Sequence, residues 1–591
     1  MAKKKIYNKL TLRKRANVTT KKGVEQVQDA TTETVNKHLV RRWGRLKGVR
    51  RFVIGWLVLV FVLALGVIIQ SSALREYYME EVSASGGTYF EGVVGEFNSL
   101  NPMFSGSAAD GSVTKLVFSS LFKYDEDNKL VGDLAKEWTV NDEKVIYTVK
   151  LRDDAYWHDG QKVTADDVVF TYKAIQKPAT SSTLADSWRG IEIQALDEYT
   201  VSFSLPNEFT PFPHSLTNGI LPEHILGNTP YKQLRADDFN LEPIGSGPFV
   251  FERLFSDEQR GQVNLSRNEG YYETPAYIKE FVVVAYEDDT KMIAGFREGE
   301  LTGITALNSS DLNELSDLGY AKNLSLPLFN QVFIFLNNSD PILESSKVRK
   351  ALVYATDRNA IFKALGGRYP TGDSPLLKDQ LGYSATLVQS GIDINKANEL
   401  LDEAGWKRGK DGIRVKDGKQ LTIDIVSQNS DEYPEVLAEI QKSWLKAGVV
   451  ANLSLVSDQD FTQSYISPHE YQALVFGVTQ GVDPDVFPYW HSTQAKKGGF
   501  NLSNYKSTRA DNALEAGRTR SDPKLRKEKY KSFLEEWMAD NPAIALYQPV
   551  FNYVVRESVE GIGLRSLATP VDRFNDVTDW AIETQFERKS L

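Results

Sequence analysis

Residues Tyr147–Tyr172 read YTVKLRDDAYWHDGQKVTADDVVFTY, and three local patterns follow one another in that stretch. From Val145 onward, Val145, Tyr147, Val149 and Leu151 fall at every second position, which places them on one face of a strand. Asp159-Gly160 supplies tight-turn chemistry, with Trp157 just ahead of it. Thr164 stands three residues before Asp167, an acidic form of the capping box, and Val168, Tyr172 and Ile175 follow at helical spacing. A strand, a turn and a capped helix are therefore expected in that order.

Elements of both kinds extend outward from this module. Thr88–Gly95 (TYFEGVVG) reads as a first strand, and Asp110 is expected to cap a helix whose Val113, Leu116, Val117 and Leu121 share one face. Helices are predicted at Asp288–Glu298, Ser346–Ala364, Asn395–Ala404, Pro434–Ala447 and Pro523–Ala539. Strands are predicted at Leu421–Val426, Val449–Val456 and Tyr471–Phe476. Helices and strands interleave without a short-period repeat, so the body is α/β or α+β with mixed sheets, too large for one core.

With 591 residues, 41% apolar and 25% charged, the composition is that of a multi-domain globular protein. Cysteine is absent, which excludes disulfides, thiolate metal sites, a cysteine nucleophile and a lipidated amino-terminal cysteine. The net charge of −10 divides into +13 over Met1–Arg51 and −23 over the remainder. An acidic body argues against nucleic acid as a partner.

Phe52–Ile69 (FVIGWLVLVFVLALGVII) carries no charge and would be about 27 Å long as a helix, near the thickness of a bilayer core. Seven Lys/Arg lie between Asn36 and Arg51, and Glu76, Glu80 and Glu81 follow the apolar run. The positive-inside bias then predicts a single-pass anchor with a cytoplasmic amino terminus and an extracytoplasmic body. Ser71-Ser72-Ala73 leaves cleavage near residue 73 open as the alternative. Residues 1–51 form a basic cytoplasmic tail, disordered up to about Asn36–His38, with the anchor at 52–70. Glu80–Gly87 (EEVSASGG) reads as a flexible linker within 71–87.

Motifs of catalysis are missing: no HExxH, GxSxG, GxxxxGK[ST] or GxGxxG occurs. The six histidines, His38, His158, His214, His224, His469 and His491, show no ligand spacing, so no metal site is expected. Asp483 and Asp485 form a pair of the kind that arises by chance among 79 acidic residues. The chain reads as a non-enzyme without a cofactor.

The Trp157-His-Asp-Gly and Thr164-Ala-Asp-Asp-Val pieces, at their spacing, resemble the hallmark segment of the family 5 extracellular solute-binding proteins, the peptide receptors of ABC importers. Gly132–Trp138 (GDLAKEW), Gly245–Phe249 (GSGPF), Val348–Arg358 (VRKALVYATDR), Ala397–Trp406 (ANELLDEAGW) and Asp483–Ser492 (DPDVFPYWHS) are similar to further family segments, in family order. Trp157 and Trp138 are expected as core or turn anchors, Gly160, Gly245 and Gly247 as turn residues, and Arg349, Asp357 and Arg358 as capping or pairing groups along a helix.

The resemblance implies a periplasmic-binding-protein-like α/β fold over 88–591. It would have two hinged lobes and an extra subdomain: lobe I near 88–131, 200–285 and 545–591, the subdomain near 132–199, and lobe II near 286–544. It implies a monomer that captures a peptide, or another small solute, by closing on it, and that hands it to ABC importer permease subunits. In peptide-binding relatives the ligand lies extended and pairs its backbone with protein strands. The matching positions here are Phe104, Ser105, Gly106 and Ser107, which follow Asn101-Pro102, and the connecting segment Gly477, Val478, Thr479 and Gln480. Gln480 stands where well-known members carry an Asp for the peptide's amino terminus, and Asp483 or Asp485 would be the nearby substitutes. The same fold also serves a nickel chelate, haem, oligosaccharide or cell-wall fragment in other relatives, and that alternative stays open. A peptide hydrolase and a scaffold or chaperone are the competing classes.

Overall fold

The computed structural model describes residues 50–256, 260–305, 309–316, 318–430 and 432–588. The basic tail therefore lies outside the described residues up to residue 49. The chain divides into a unit that contains the helix Arg50–Tyr78 and a unit spanning Ser83–Thr584.

Within the helix, Phe52–Gln70 has a mean hydropathy of 3.1. Among the described residues it is the one stretch long and apolar enough to cross a membrane. The linker expectation is corrected here. The helix runs on to Tyr78, and Met79–Ala84 is a strand paired with Glu583–Arg588. Backbone pairing overrides the small, polar composition of that segment.

The second unit is organised by three sheets. A seven-stranded mixed sheet has the order Ala321–Pro327, Val550–Arg556, Gly303–Thr305, Thr88–Val94, Glu280–Tyr286, Arg260–Arg267, Phe249–Ser256. A five-stranded sheet runs Val450–Val456, Thr422–Gln428, Ala473–Thr479, Asn330–Leu336, Ala543–Tyr547. A four-stranded antiparallel sheet runs Ala135–Val140, Ile146–Leu151, Thr200–Ser204, Glu192–Asp197. The first and third sheets share one apolar core, and the five-stranded sheet has cores of its own on its two faces.

These memberships move the lobe boundaries. Gly303–Thr305 and Ala321–Pro327, expected in lobe II, belong to the seven-stranded sheet, and Thr200–Ser204 belongs to the small one. The chain crosses between lobes at two places, from Pro327 to Asn330 and from Tyr547 to Val550. The crossings are stitched together: Leu328 N–H donates to Pro549 O at 2.9 Å, and Gln548 Nε2 donates to Leu328 O at 2.9 Å. Two short adjacent connections of opposite direction form a hinge.

The hallmark module folds as its pattern predicts. Tyr147, Val149 and Leu151 are buried, and the helix Ala165–Ile175 begins with a capping box of Thr164 and Asp167. Asp167 does more than cap: its carboxylate also accepts from Trp157 Nε1 at 3.2 Å and from Glu223 N–H at 2.7 Å. Gly160 takes φ +89°, a left-handed conformation open to glycine. His158 is held neutral between two backbone groups. Its Nδ1 accepts from Gly245 N–H at 3.3 Å, and its Nε2 donates to Gly247 O at 3.1 Å. Gly245 must be glycine because a Cβ there would lie 1.9 Å from Val117 O.

Four local expectations are corrected. Trp157 is 2% exposed, but Trp138 is 45% exposed, stacked on Tyr147 from an edge strand of the sheet. Ser107, rather than Asp110, is the N-cap of the helix Ala108–Val117, with Asp110 as the reciprocal third residue of its capping box. The predicted helix Ser346–Ala364 breaks into Ser346–Ala355 and Arg358–Ala364. Thr356 bonds back to Leu352 O and Asp357 caps the second piece, a local competition with the helix ladder. Of the charged residues there, Arg349 and Arg358 are buried and tie distant carbonyls together instead of pairing along the helix. Arg349 reaches Asp540 O and Asn541 O, and Arg358 reaches Ala545 O and Ser390 O. Burial lowers the Arg358 pKa to about 10.

Candidate functional site between the lobes

In the first lobe, Asn101 is fully buried and organises the segment that follows. Its side-chain amide donates to Asn240 Oδ1 at 2.9 Å, its Oδ1 accepts from Met103 N–H, and its carbonyl accepts from Phe104 and Ser105 N–H. Gly106 and Ser107 N–H turn to Asp110 Oδ2 at 3.5 and 3.4 Å. All four N–H groups of residues 104–107 are thus used locally. What remains to meet a ligand is carbonyl oxygen and side chain. Phe104 lies under Arg235, whose guanidinium carbon is 4.5 Å from the ring centroid.

In the second lobe, Gly477, Val478 and Thr479 are strand residues rather than a connecting loop. They pair with Val332, Gln331 and Asn330. On the other edge, the parallel partner Thr422–Gln428 meets the strand only at Ala473 and Leu474. The edge from Phe476 to Thr479 therefore has no strand partner among the described residues. Two tyrosines stand along it: the Tyr433 hydroxyl lies against the Gly477 backbone, and the Tyr489 hydroxyl donates to Thr479 O.

Gln480 ends this edge and is 8% exposed. Its N–H donates to Phe329 O at 2.8 Å, inside the hinge crossing, and its Nε2 donates to Pro375 O at 3.0 Å. Its Oε1 is shut off from solvent and has no hydrogen-bond partner among the described residues, and the same is true of Asn330 Oδ1 at the start of the adjacent strand. Buried acceptors left open are uncommon and mark places where a further donor fits.

Asp483 and Asp485 are already engaged. Asp483 receives Arg526 Nη1 and Nη2 at 2.8 and 2.9 Å, and Asp485 receives Arg518 Nε and Nη2 at 3.0 and 2.7 Å. Burial raises the Asp485 pKa above the usual carboxylate range, against the pull of Arg518.

The same two pairs carry contacts to the first lobe. Thr210 N–H donates to Arg518 O at 3.0 Å, and His214 Nε2 stands 3.7 Å from Asp483 Oδ2. Desolvation lowers the His214 pKa, with Asp483 opposing the shift. Ser566 Oγ donates to Asp379 Oδ2 at 2.9 Å in another interlobe contact. No hydrogen bond joins residues 104–107 to residues 477–480 among the described residues. Each segment stands on its own lobe.

Asn330, Tyr433, Tyr489, His214, Arg518 and Arg526 escaped the sequence reading. Only Asn330 carried a local signal, being the first residue of a largely apolar run (NQVFIFL). Among the described residues no group of three or more His, Asp or Glu gathers as a metal site requires.

Two lobes joined by two crossings define a solute-binding protein of the hinged type. The chain belongs to the bacterial extracellular solute-binding proteins, family 5, whose middle region matches residues 129–500. The family is one of solute receptors rather than enzymes. Oligopeptide-binding protein AppA of Bacillus subtilis (strain 168) is 28% identical over 488 residues, covering 80% of this chain and 89% of the relative. Protein XP55 of Streptomyces lividans is 28% identical over 478 residues, covering 80% of this chain and 85% of XP55. Among solved structures, NikZ from Campylobacter jejuni in complex with Ni(L-His) matches with a TM-score of 0.67 at 28% identity, over 84% of this chain and 99% of NikZ. AppA from Bacillus subtilis in complex with a nonapeptide matches with a TM-score of 0.66 at 26% identity, over 85% of this chain and all of AppA.

Proposed function

We propose that the protein is a membrane-anchored receptor of an ABC importer. It captures peptides between its lobes and delivers them to permease subunits at the membrane surface. The observation that carries this reading is the strand edge from Phe476 to Thr479, which has no strand partner among the described residues and ends at the acceptor Gln480 Oε1. An extended peptide has the backbone groups to complete that edge, and its amino-terminal N–H donors suit an amide oxygen. Residues 104–107 receive ligand donors through their carbonyls as the first lobe closes. Asp483 and Asp485 act through Arg526 and Arg518, fixing the turn after Gln480.

Phe52–Gln70 crosses the membrane once and is retained, with the amino terminus in the cytoplasm and the receptor outside. Tethering raises the receptor's effective concentration at the permease, so a monomer suffices. Binding, not bond making or breaking, is the activity. Support comes from the relatives: AppA binds oligopeptides by its name, and its solved structure holds a nonapeptide.

A second reading, a small chelate in the same cleft, is favoured by the likeness to NikZ, which holds Ni(L-His). Mass spectrometry of small molecules released on denaturing the purified protein separates the two. Short peptides are expected; a metal chelate without peptide would select the second reading.

A further inference from the structure

The first lobe holds a cavity of about 170 Å³ between the helix Ala108–Val117 and the segment Pro570–Asp579. That volume has room for several waters or one small organic group. Each lysine beside it is paired with an acid. Lys115 lies 3.5 Å from Asp572, while Lys123 lies 2.6 Å from Glu273 and 3.8 Å from Asp133. Not all of the neutral polar groups are paired. Both Oδ1 and Nδ2 of Asn575, and Oγ1 of Thr114, are shut off from solvent with no hydrogen-bond partner among the described residues. All of these residues except Asp572 line the cavity, and Phe118 and Phe574 add apolar wall.

We propose that this cavity is a binding site for a primary carboxamide, the group at the end of a glutamine or asparagine side chain. The unpaired amide of Asn575 selects it. A primary carboxamide presents a carbonyl oxygen and an N–H side by side, so it engages both atoms of Asn575 at once. Asn575 Nδ2 donates to the ligand oxygen, and the ligand N–H donates to Asn575 Oδ1. Exchanging the assigned oxygen and nitrogen of Asn575 leaves the pairing unchanged. A trans peptide unit points its N–H and C=O in opposite directions and engages only one of the two atoms. A carboxylate has no hydrogen for Oδ1, and lysines already paired with acids give it no net charge to meet. Thr114 Oγ1 supplies a hydroxyl for the ligand's remaining lone pair or N–H. The cavity lies within the first lobe, and Ser105 of the segment 104–107 forms part of its wall.

The test is calorimetric titration of the full chain with L-glutamine and with L-glutamate, repeated on Asn575→Asp and Thr114→Val, together with a crystal structure of the glutamine complex. Glutamine is expected to bind at least about tenfold more tightly than glutamate, and both variants to weaken it by about tenfold or more. The crystal structure should show the ligand amide against Asn575. Thr114→Val keeps the shape of the wall, so it decides the matter if Asn575→Asp fails to fold. Equal affinity for the two amino acids, wild-type affinity in Thr114→Val, glutamine only in the interlobe cleft, or ordered water alone at Asn575 would each overturn the proposal.

Discussion

Arg526 holds Asp483 through two parallel hydrogen bonds of 2.8 and 2.9 Å, with each side chain 8% exposed. The pair fixes the turn after Gln480 from a helix 43 residues further along the chain. A bidentate pair out of water is strong only while both halves are present. Arg526→Ala strands a buried carboxylate and is expected to lower stability by about 3–5 kcal/mol. The double variant Asp483→Leu/Arg526→Met should lose much less. Urea unfolding of the three proteins checks this, and equal losses in the single and double variants would count against it.

Gln480 brings a neutral oxygen where a carboxylate would bring charge. Acetylating the amino terminus of a bound peptide is therefore expected to weaken binding by less than about 2 kcal/mol, the scale of a charged hydrogen bond. Calorimetry with matched free and acetylated peptides measures the difference. A larger loss would show that a carboxylate meets the amino terminus after all.

His158 gives a pH dependence of definite sign. Burial lowers its pKa from 6.5 to about 4, against the bond to Gly247 O. In the unfolded chain it takes up a proton near pH 6.5, while the folded protein resists until about pH 4. Its contribution to stability is full above pH 6.5 and is lost as pH falls from there toward 4. Asp167 and Asp576, raised by burial, act in the opposite sense, so the comparison must be made against a variant. Unfolding free energy measured over this range should fall more steeply in the wild type than in His158→Gln. Parallel curves would contradict the assignment.

The apolar helix is expected to stay attached to the receptor. Sequencing the amino terminus of the membrane-bound protein should find residues upstream of Phe52, and the protein should resist extraction with carbonate. A mature terminus near Leu74 would show that the segment is removed.

The parts of the fold that were legible in the sequence are those held by near neighbours. Tyr147–Tyr172 announces its strand, turn and helix because Thr164, Asp167, Gly160 and the alternating apolar residues act within a few positions of one another. The lobe boundaries were not legible. Gly303–Thr305 and Ala321–Pro327 join the seven-stranded sheet through a partner far along the chain, Val550–Arg556. Trp138 could not be told from a core tryptophan: the register pairs it with buried Val149 on the same face, and its exposure comes from Ala135–Val140 being an edge strand of its sheet. At the candidate site, Gln480 was recognisable by its place in the family pattern. The open state of its Oε1 was not, because that depends on where Pro375 and Gln331 sit. Nor did spacing reveal that Arg518 and Arg526 would claim Asp485 and Asp483.

The central claim is that two lobes on the crossings at 327–330 and 547–550 close around a peptide. Small-angle X-ray scattering of ligand-free protein, with and without a mixed library of di- to pentapeptides, tests it most directly. The radius of gyration is expected to fall on adding peptide as the lobes shut. Superimposable profiles from a sample that binds peptide by calorimetry would contradict it.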